Sequence, residues 1–80
     1  MAELPRIYFD TNESEDTDLF NLSIPGSLKD IHGLSDSLRP GLRVLLYMTD
    51  DLEVEATLEY DDVYKRWLGR ADWTTIRHLD

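Results

Sequence analysis

Between Asp10 and Asp18 the chain reads DTNESEDTD, which sets Asp10, Asn12, Ser14, Asp16 and Asp18 at alternate positions, much as a calcium loop spaces its oxygen ligands. Two positions break the likeness. The sixth is Glu15, where a calcium loop needs glycine for its bend, and the twelfth is Asn21, where it needs a bidentate glutamate. The segment therefore reads as a solvated acidic loop rather than a metal site, with a cation-binding loop as the third functional reading. Groups for nucleophilic or acid-base work are few: there is no cysteine, and only His32 and His78 titrate near neutrality. Carboxylates abound, but no spacing marks a pair for opposed pKa shifts. No glycine-rich phosphate loop, HExxH or GxSxG occurs. The expectation is a non-enzymatic protein with no cofactor.

Binding offers more material. Trp and Tyr dominate protein-protein hot spots, and Trp67, Trp73, Tyr47, Tyr60 and Tyr64 are the aromatic candidates. In so small a core one of the two tryptophans is expected to close an end of the fold. Lys65, Arg66, Arg70 and Arg77 form a basic cluster beside both tryptophans, and pairing with Glu53, Glu55 and Glu59 across a sheet explains it more economically than nucleic-acid binding. The partner-binding residues singled out are Tyr47, Glu53, Glu55 and Trp73.

The elements that must position these residues are mainly strands. From Leu52 to Tyr60, Leu52, Val54, Ala56, Leu58 and Tyr60 alternate with Glu53, Glu55, Thr57 and Glu59, the period of a half-buried strand. Its neighbour, Leu42 to Met48, sets Leu42, Val44, Leu46 and Met48 on one face. A two-residue loop would oppose Met48 to Glu53 and invert the buried set. A three-residue loop, Thr49 to Asp51, pairs Met48 with Leu52, Leu46 with Val54 and Val44 with Ala56, and is the reading adopted. The outer face then sets Tyr47 opposite Glu53, Leu45 opposite Glu55 and Arg43 opposite Thr57.

Elsewhere, Arg6 to Phe9 reads as a first strand at a sheet edge, and Leu19 to Ile24 as a second, stopped by Pro25-Gly26. Ser27 with Asp30 suggests a capping box opening one or two short helical turns through Leu28, Ile31, Leu34 and Leu38, with Gly33 interrupting or capping them. Arg39-Pro40-Gly41-Leu42 fits a type II turn. Trp67 to Ala71 makes a third meander strand, Asp72 to Thr74 a tight turn and Thr75 to Leu79 a last strand.

The meander through Leu52 to Tyr60 and Trp67-Leu68-Gly69-Arg70, then the short turn and strand of Asp72-Trp73-Thr74-Thr75-Ile76, is similar to the SH3-like small barrels, whose last strands are separated by one 3₁₀ turn. The resemblance covers little more than the second half. It implies a small antiparallel meander or SH3-like barrel with one or two helical turns, and no function. SH3 domains proper bind proline-rich peptides, and their ALYDY-type signature has only a poor counterpart in Leu45-Leu46-Tyr47 with Asp50.

Eighty residues fit one domain, 1–80, with a flexible acidic loop at 10–18 and a meander at 42–79. Seventeen acids against eight bases give a formal net charge of -9, spread over both halves. Such a field repels phosphate backbones and anionic lipid surfaces and raises the on-rate of a basic protein. No apolar run spans a bilayer, MAELPRIYFD lacks the pattern of a signal peptide, and a bacterial-type cytoplasm is the default location. The leading expectation is a protein-protein interaction or regulatory module with a basic protein partner, binding neither nucleic acid nor membrane. The alternative is a nucleic-acid-mimicking inhibitor or immunity protein. A free edge at Arg6 to Phe9 would also allow a homodimer.

Overall fold

The computed structural model describes residues 4–34 and 36–78, so Leu79, expected to end the last strand, lies outside the described residues. The chain is mainly β. Six strands, β1 (Arg6–Tyr8), β2 (Leu19–Asn21), β3 (Arg43–Met48), β4 (Leu52–Asp61), β5 (Arg66–Ala71) and β6 (Arg77–His78), join one helix, α1 (Pro25–His32), and 3₁₀ turns at Thr11–Glu13 and Trp73–Thr75.

The meander β3-β4-β5 is antiparallel and in the expected register: Met48 lies opposite Leu52, Leu46 opposite Val54, Val44 opposite Ala56 and Tyr47 opposite Glu53. Asp50 takes the left-handed conformation in the three-residue turn, at φ 59°, a region Asp tolerates better than most residues. The strand β5 follows, with Tyr60 opposite Trp67 and Asp61 opposite Arg66. The turn at Pro40-Gly41 forms as read, with Gly41 at φ 91° and the Leu42 amide donating to the Arg39 carbonyl.

The sheet departs from a purely antiparallel meander at both flanks. Its order is β1-β3-β4-β5-β2, β1 runs parallel to β3, and β6 pairs with the start of β4. The long β4 serves two neighbours on one side, β5 along its second half and β6 at Leu52-Glu53. The sheet curls enough to bring the rings of Phe9 and Phe20, from its two flanks, to 5.1 Å edge-to-face, yet β1 and β2 do not pair. It is a mixed sheet that is not closed into a barrel.

Alternation then fills the interior. Ile7, Phe9, Phe20, Leu22, Val44, Leu46, Val54, Ala56 and Leu58 are buried in one cluster, to which α1 adds Ile31. Full burial of each large apolar side chain contributes about 1.5–3 kcal/mol. Gly69 sits where a Cβ would come within 3.0 Å of a Leu46 methyl, so this strand position suits a residue without a side chain.

The capping box at Ser27 is corrected. Ile24 is the N-cap, with no side-chain capping bond, and Pro25, expected to end a run, opens the helix at a position where its missing N–H costs nothing. Ser27 is freed to turn inward. It is fully buried, and its hydroxyl donates to the Tyr8 carbonyl. Gly33 caps the helix C-terminus.

Candidate functional site

The strand period sends Glu53, Glu55, Tyr47 and Leu45 to the outer face of β3 and β4, where β1 adds Arg6 and Tyr8. Three of the four residues singled out, Tyr47, Glu53 and Glu55, share this face, whose cross-strand pairs include Tyr47 with Glu53 and Leu45 with Glu55. Its charged groups and the Tyr47 hydroxyl already have partners. Glu53, only 8% exposed, lies between Arg6 at 3.2 Å and Arg77 at 3.1 Å. The Arg6 guanidinium also rests 4.7 Å from the centre of the Tyr47 ring. Glu55 pairs with Arg43, which reaches on to Asp72 at 2.9 Å. The Tyr47 hydroxyl donates to Asp30 Oδ2 at 3.0 Å, and burial together with that bond pushes its pKa up. A hydroxyl and backbone bond from Thr74, helped by Arg43, hold the Asp72 carboxyl below the usual carboxylate range.

A cleft of about 250 Å³ opens on this face, lined by Leu4, Arg6, Leu45 and Glu55. Its charged groups are engaged by Glu53, Tyr47 and Arg43, and it holds no nucleophile or imidazole. What it can do is receive a side chain. His32 and His78 are both exposed, on α1 and β6. Among the described residues no three His, Cys, Asp or Glu side chains converge to hold a metal ion.

Trp73, the fourth residue, points elsewhere. Its turn is anchored beside Glu55 through the Thr75 hydroxyl, which accepts from the Glu55 amide at 2.9 Å. The indole, 40% exposed, lies edge-on to Phe20 at 5.8 Å and donates to the Thr17 carbonyl at 3.2 Å. Strand directions place the Thr49–Asp51 turn, the Trp73–Thr75 turn and the Asp16–Asp18 turn leading into β2 at the same end of the sheet.

The acidic loop carries several tethers. Asp10 caps its own 3₁₀ turn, Ser14 bridges to Phe20, and the Leu19 carbonyl accepts from Glu15 at 2.7 Å. Arg66 pairs with Glu15 and Asp61, and Arg70 with Asp18 and Glu59. Of the basic cluster, Arg70 and Arg77 meet Glu59 and Glu53 as expected, whereas Arg66 pairs with other acids, Glu55 is taken by Arg43, and Lys65 has no acid partner among the described residues. No family model, curated protein or solved structure matches this chain.

Two features were missed by sequence reasoning. The first is the cover on β1. Its outward-facing Tyr8 amide donates to Asp30 Oδ2 at 2.9 Å and its Tyr8 carbonyl accepts from Ser27, so α1 occupies the edge that was expected to be free for a homodimer. Nothing local in the sequence signals this, because β1 and α1 meet only through the fold. The second is Val63, which with Tyr64 forms an apolar tip on the β4-β5 hairpin. Its signal was available: an apolar pair set between Asp61-Asp62 and Lys65-Arg66, inside a turn.

Proposed function

We propose that this chain is a non-catalytic interaction module whose acidic end attracts a basic protein partner and whose Trp73 anchors it. One observation supports this above the others. Asp16, Asp50 and Asp51 have no cation partner among the described residues, and they share an end with the half-exposed indole. Unpaired charge steers encounter, and a desolvated Trp supplies hot-spot energy. The outer face of β3 and β4 is the weaker half of the reading, because Glu53 and Glu55 would have to give up arginines they already hold. The likeness of the 52–76 meander to SH3-like small barrels fits a binding module at the level of fold and names no ligand. A cytoplasmic location is part of this reading; with no cysteine, the chain needs no oxidising compartment to complete its fold.

A nucleic-acid mimic is the alternative, and the arginine bridges count against it. Arg66 and Arg70 neutralise Glu15, Asp18, Glu59 and Asp61, which breaks up the carboxylate array such a mimic needs. The test is affinity capture on immobilised wild-type, Trp73→Ala and Asp50→Lys/Asp51→Lys chains, each first shown to be folded by circular dichroism. Both variants should lose the same partner, and salt should elute it. Displacement of that partner by duplex DNA or RNA would instead favour mimicry. A partner held equally by all three columns would sink the proposal.

A further inference from the structure

At the end of the β4-β5 hairpin Val63 is 81% exposed and Tyr64 73%, the two most exposed large apolar side chains of the described residues. They add nothing to the core. Hairpin turns of this length are ordinarily polar, so this pair stands outside what folding requires.

The tip is also held rigid. Asp61 Oδ1 accepts from the Val63 amide at 2.9 Å and the Tyr64 amide at 3.2 Å, while Asp61 Oδ2 accepts from Arg66 Nε at 3.2 Å. The Arg66 guanidinium lies 5.2 Å from the centre of the Tyr64 ring, and Lys65 closes the turn in the left-handed region at φ 54°. Beneath, Tyr60 and Trp67 stack edge-to-face at 4.9 Å. A side chain presented in one conformation loses less entropy when it is buried by a partner.

We infer that this tip is a second anchor, inserting Val63 and Tyr64 into an apolar groove of a basic protein partner. The inference rests on the reading of the chain as a binder of basic proteins. Charge complementarity selects the occupant through the chain as a whole, which carries -9; at the tip Asp62 and Lys65, each without an oppositely charged partner among the described residues, offset one another. A groove in a basic protein meets the apolar pair and the overall charge together. A second copy would bring another -9 to a convex tip far smaller than the roughly 1,200 Å² of a stable interface. An anionic membrane is repelled by the same field.

The test places the photo-crosslinking amino acid p-benzoylphenylalanine at position 63, and separately at 73, in the cells that make the protein. Any adduct partner is then purified, and its affinity is measured by calorimetry against wild type, Tyr64→Ser and Asp62→Lys. The expected result is an adduct from position 63 whose partner loses about tenfold or more in affinity with Tyr64→Ser and whose deficit on Asp62→Lys, relative to wild type, is larger at low salt than at high. An adduct from position 73 alone overturns the tip and leaves the interaction module standing. No adduct from either position overturns both. A self-adduct, or a partner indifferent to Tyr64→Ser, overturns the inference.

Discussion

Replacing Asp30 by alanine tests whether α1 and the edge of β1 are joined as the structure indicates. The carboxylate accepts the Tyr8 amide at 2.9 Å and the Tyr47 hydroxyl at 3.0 Å through one oxygen. A hydrogen bond to a charged group contributes about 1.5–3 kcal/mol net. Asp30 is only half-buried, so water replaces part of what is lost, and the expected cost is on the order of 2–4 kcal/mol. A chain of this length holds roughly 4–12 kcal/mol in total. At about 4–8 °C per kcal/mol the melting temperature should then fall on the order of 10–30 °C. Asp30→Asn keeps a carbonyl oxygen in place and should cost about 1 kcal/mol. The assay is urea unfolding followed by Trp fluorescence, with a double-mutant cycle through Tyr47→Phe. The cycle should return a coupling of about 1 kcal/mol, since removing either partner already breaks the bond. Amide exchange supplies a second readout, because the Tyr8 N–H should lose protection in Asp30→Ala. A cost below about 0.5 kcal/mol with the Tyr8 amide still protected would refute the edge clamp.

Tyr47 has its pKa raised in the fold, by burial and then by Asp30, so the folded state holds its proton more tightly than the unfolded state does. That stability is present below the unfolded value near 10.0 and is lost as pH rises through the folded pKa; urea midpoints should fall as pH rises above 10.0, less steeply in Tyr47→Phe. Asp61 and Asp72 titrate below the ordinary 3.8. For Asp61, burial opposes the shift and the Tyr64 and Val63 amides with Arg66 outweigh it; for Asp72 the Thr74 hydroxyl leads, with Arg43 next. Their contribution is present above 3.8 and lost as pH falls through their folded values, so Asp61→Asn and Asp72→Asn should each flatten the acid limb of a pH-stability curve. Gly26→Ala would put a Cβ 2.8 Å from Tyr8 Cδ2; a loss of about 1–3 kcal/mol in urea unfolding is expected, and an unchanged midpoint would show that the ring moves aside freely.

What could be read from the sequence was whatever has a local period. Five apolar residues at spacing two in Leu52 to Tyr60 decide which face is buried, and that constraint alone required an odd turn before Leu52, giving the register from Met48 with Leu52 to Arg43 with Thr57. The Pro40-Gly41 turn was legible because Gly41 needs positive φ. The parallel pairing of β1 with β3 was not legible, because a three-residue strand carries no record of its neighbour's direction. Ser27 misled for a physical reason: a serine before an acid three residues on is a cap only if nothing else needs its hydroxyl, and the Tyr8 carbonyl does. The same holds for the candidate site. Glu53 and Glu55 were correctly placed on one face with Tyr47, but their arginine partners Arg6, Arg77 and Arg43 come from β1, β6 and β3, so their neutralisation appears only in three dimensions.

Salt separates two opposing electrostatic effects in this molecule and should do so with a definite sign. The ion pairs are mostly on exposed arginines, with Arg77 and Arg6 more than half exposed, and such pairs contribute about 0–1 kcal/mol each. Against them stands self-repulsion among Asp10, Glu13, Asp16, Asp36, Asp50, Asp51 and Asp62, none of which has a cation partner among the described residues. Sodium chloride at about 0.5 M brings the screening length to a few ångströms, which weakens like-charge repulsion over long distances more than it weakens pairs in contact. Repulsion is the longer-ranged term and the chain is far from neutral, so added sodium chloride should raise the melting temperature. A basic partner should then compete with salt for the same free carboxylates, and binding should weaken over the range in which the fold gains. A melting temperature that falls with sodium chloride would mean that the arginine bridges contribute more than the free acids cost, and would shift attention from the acidic end to the bridged outer face as the surface that matters.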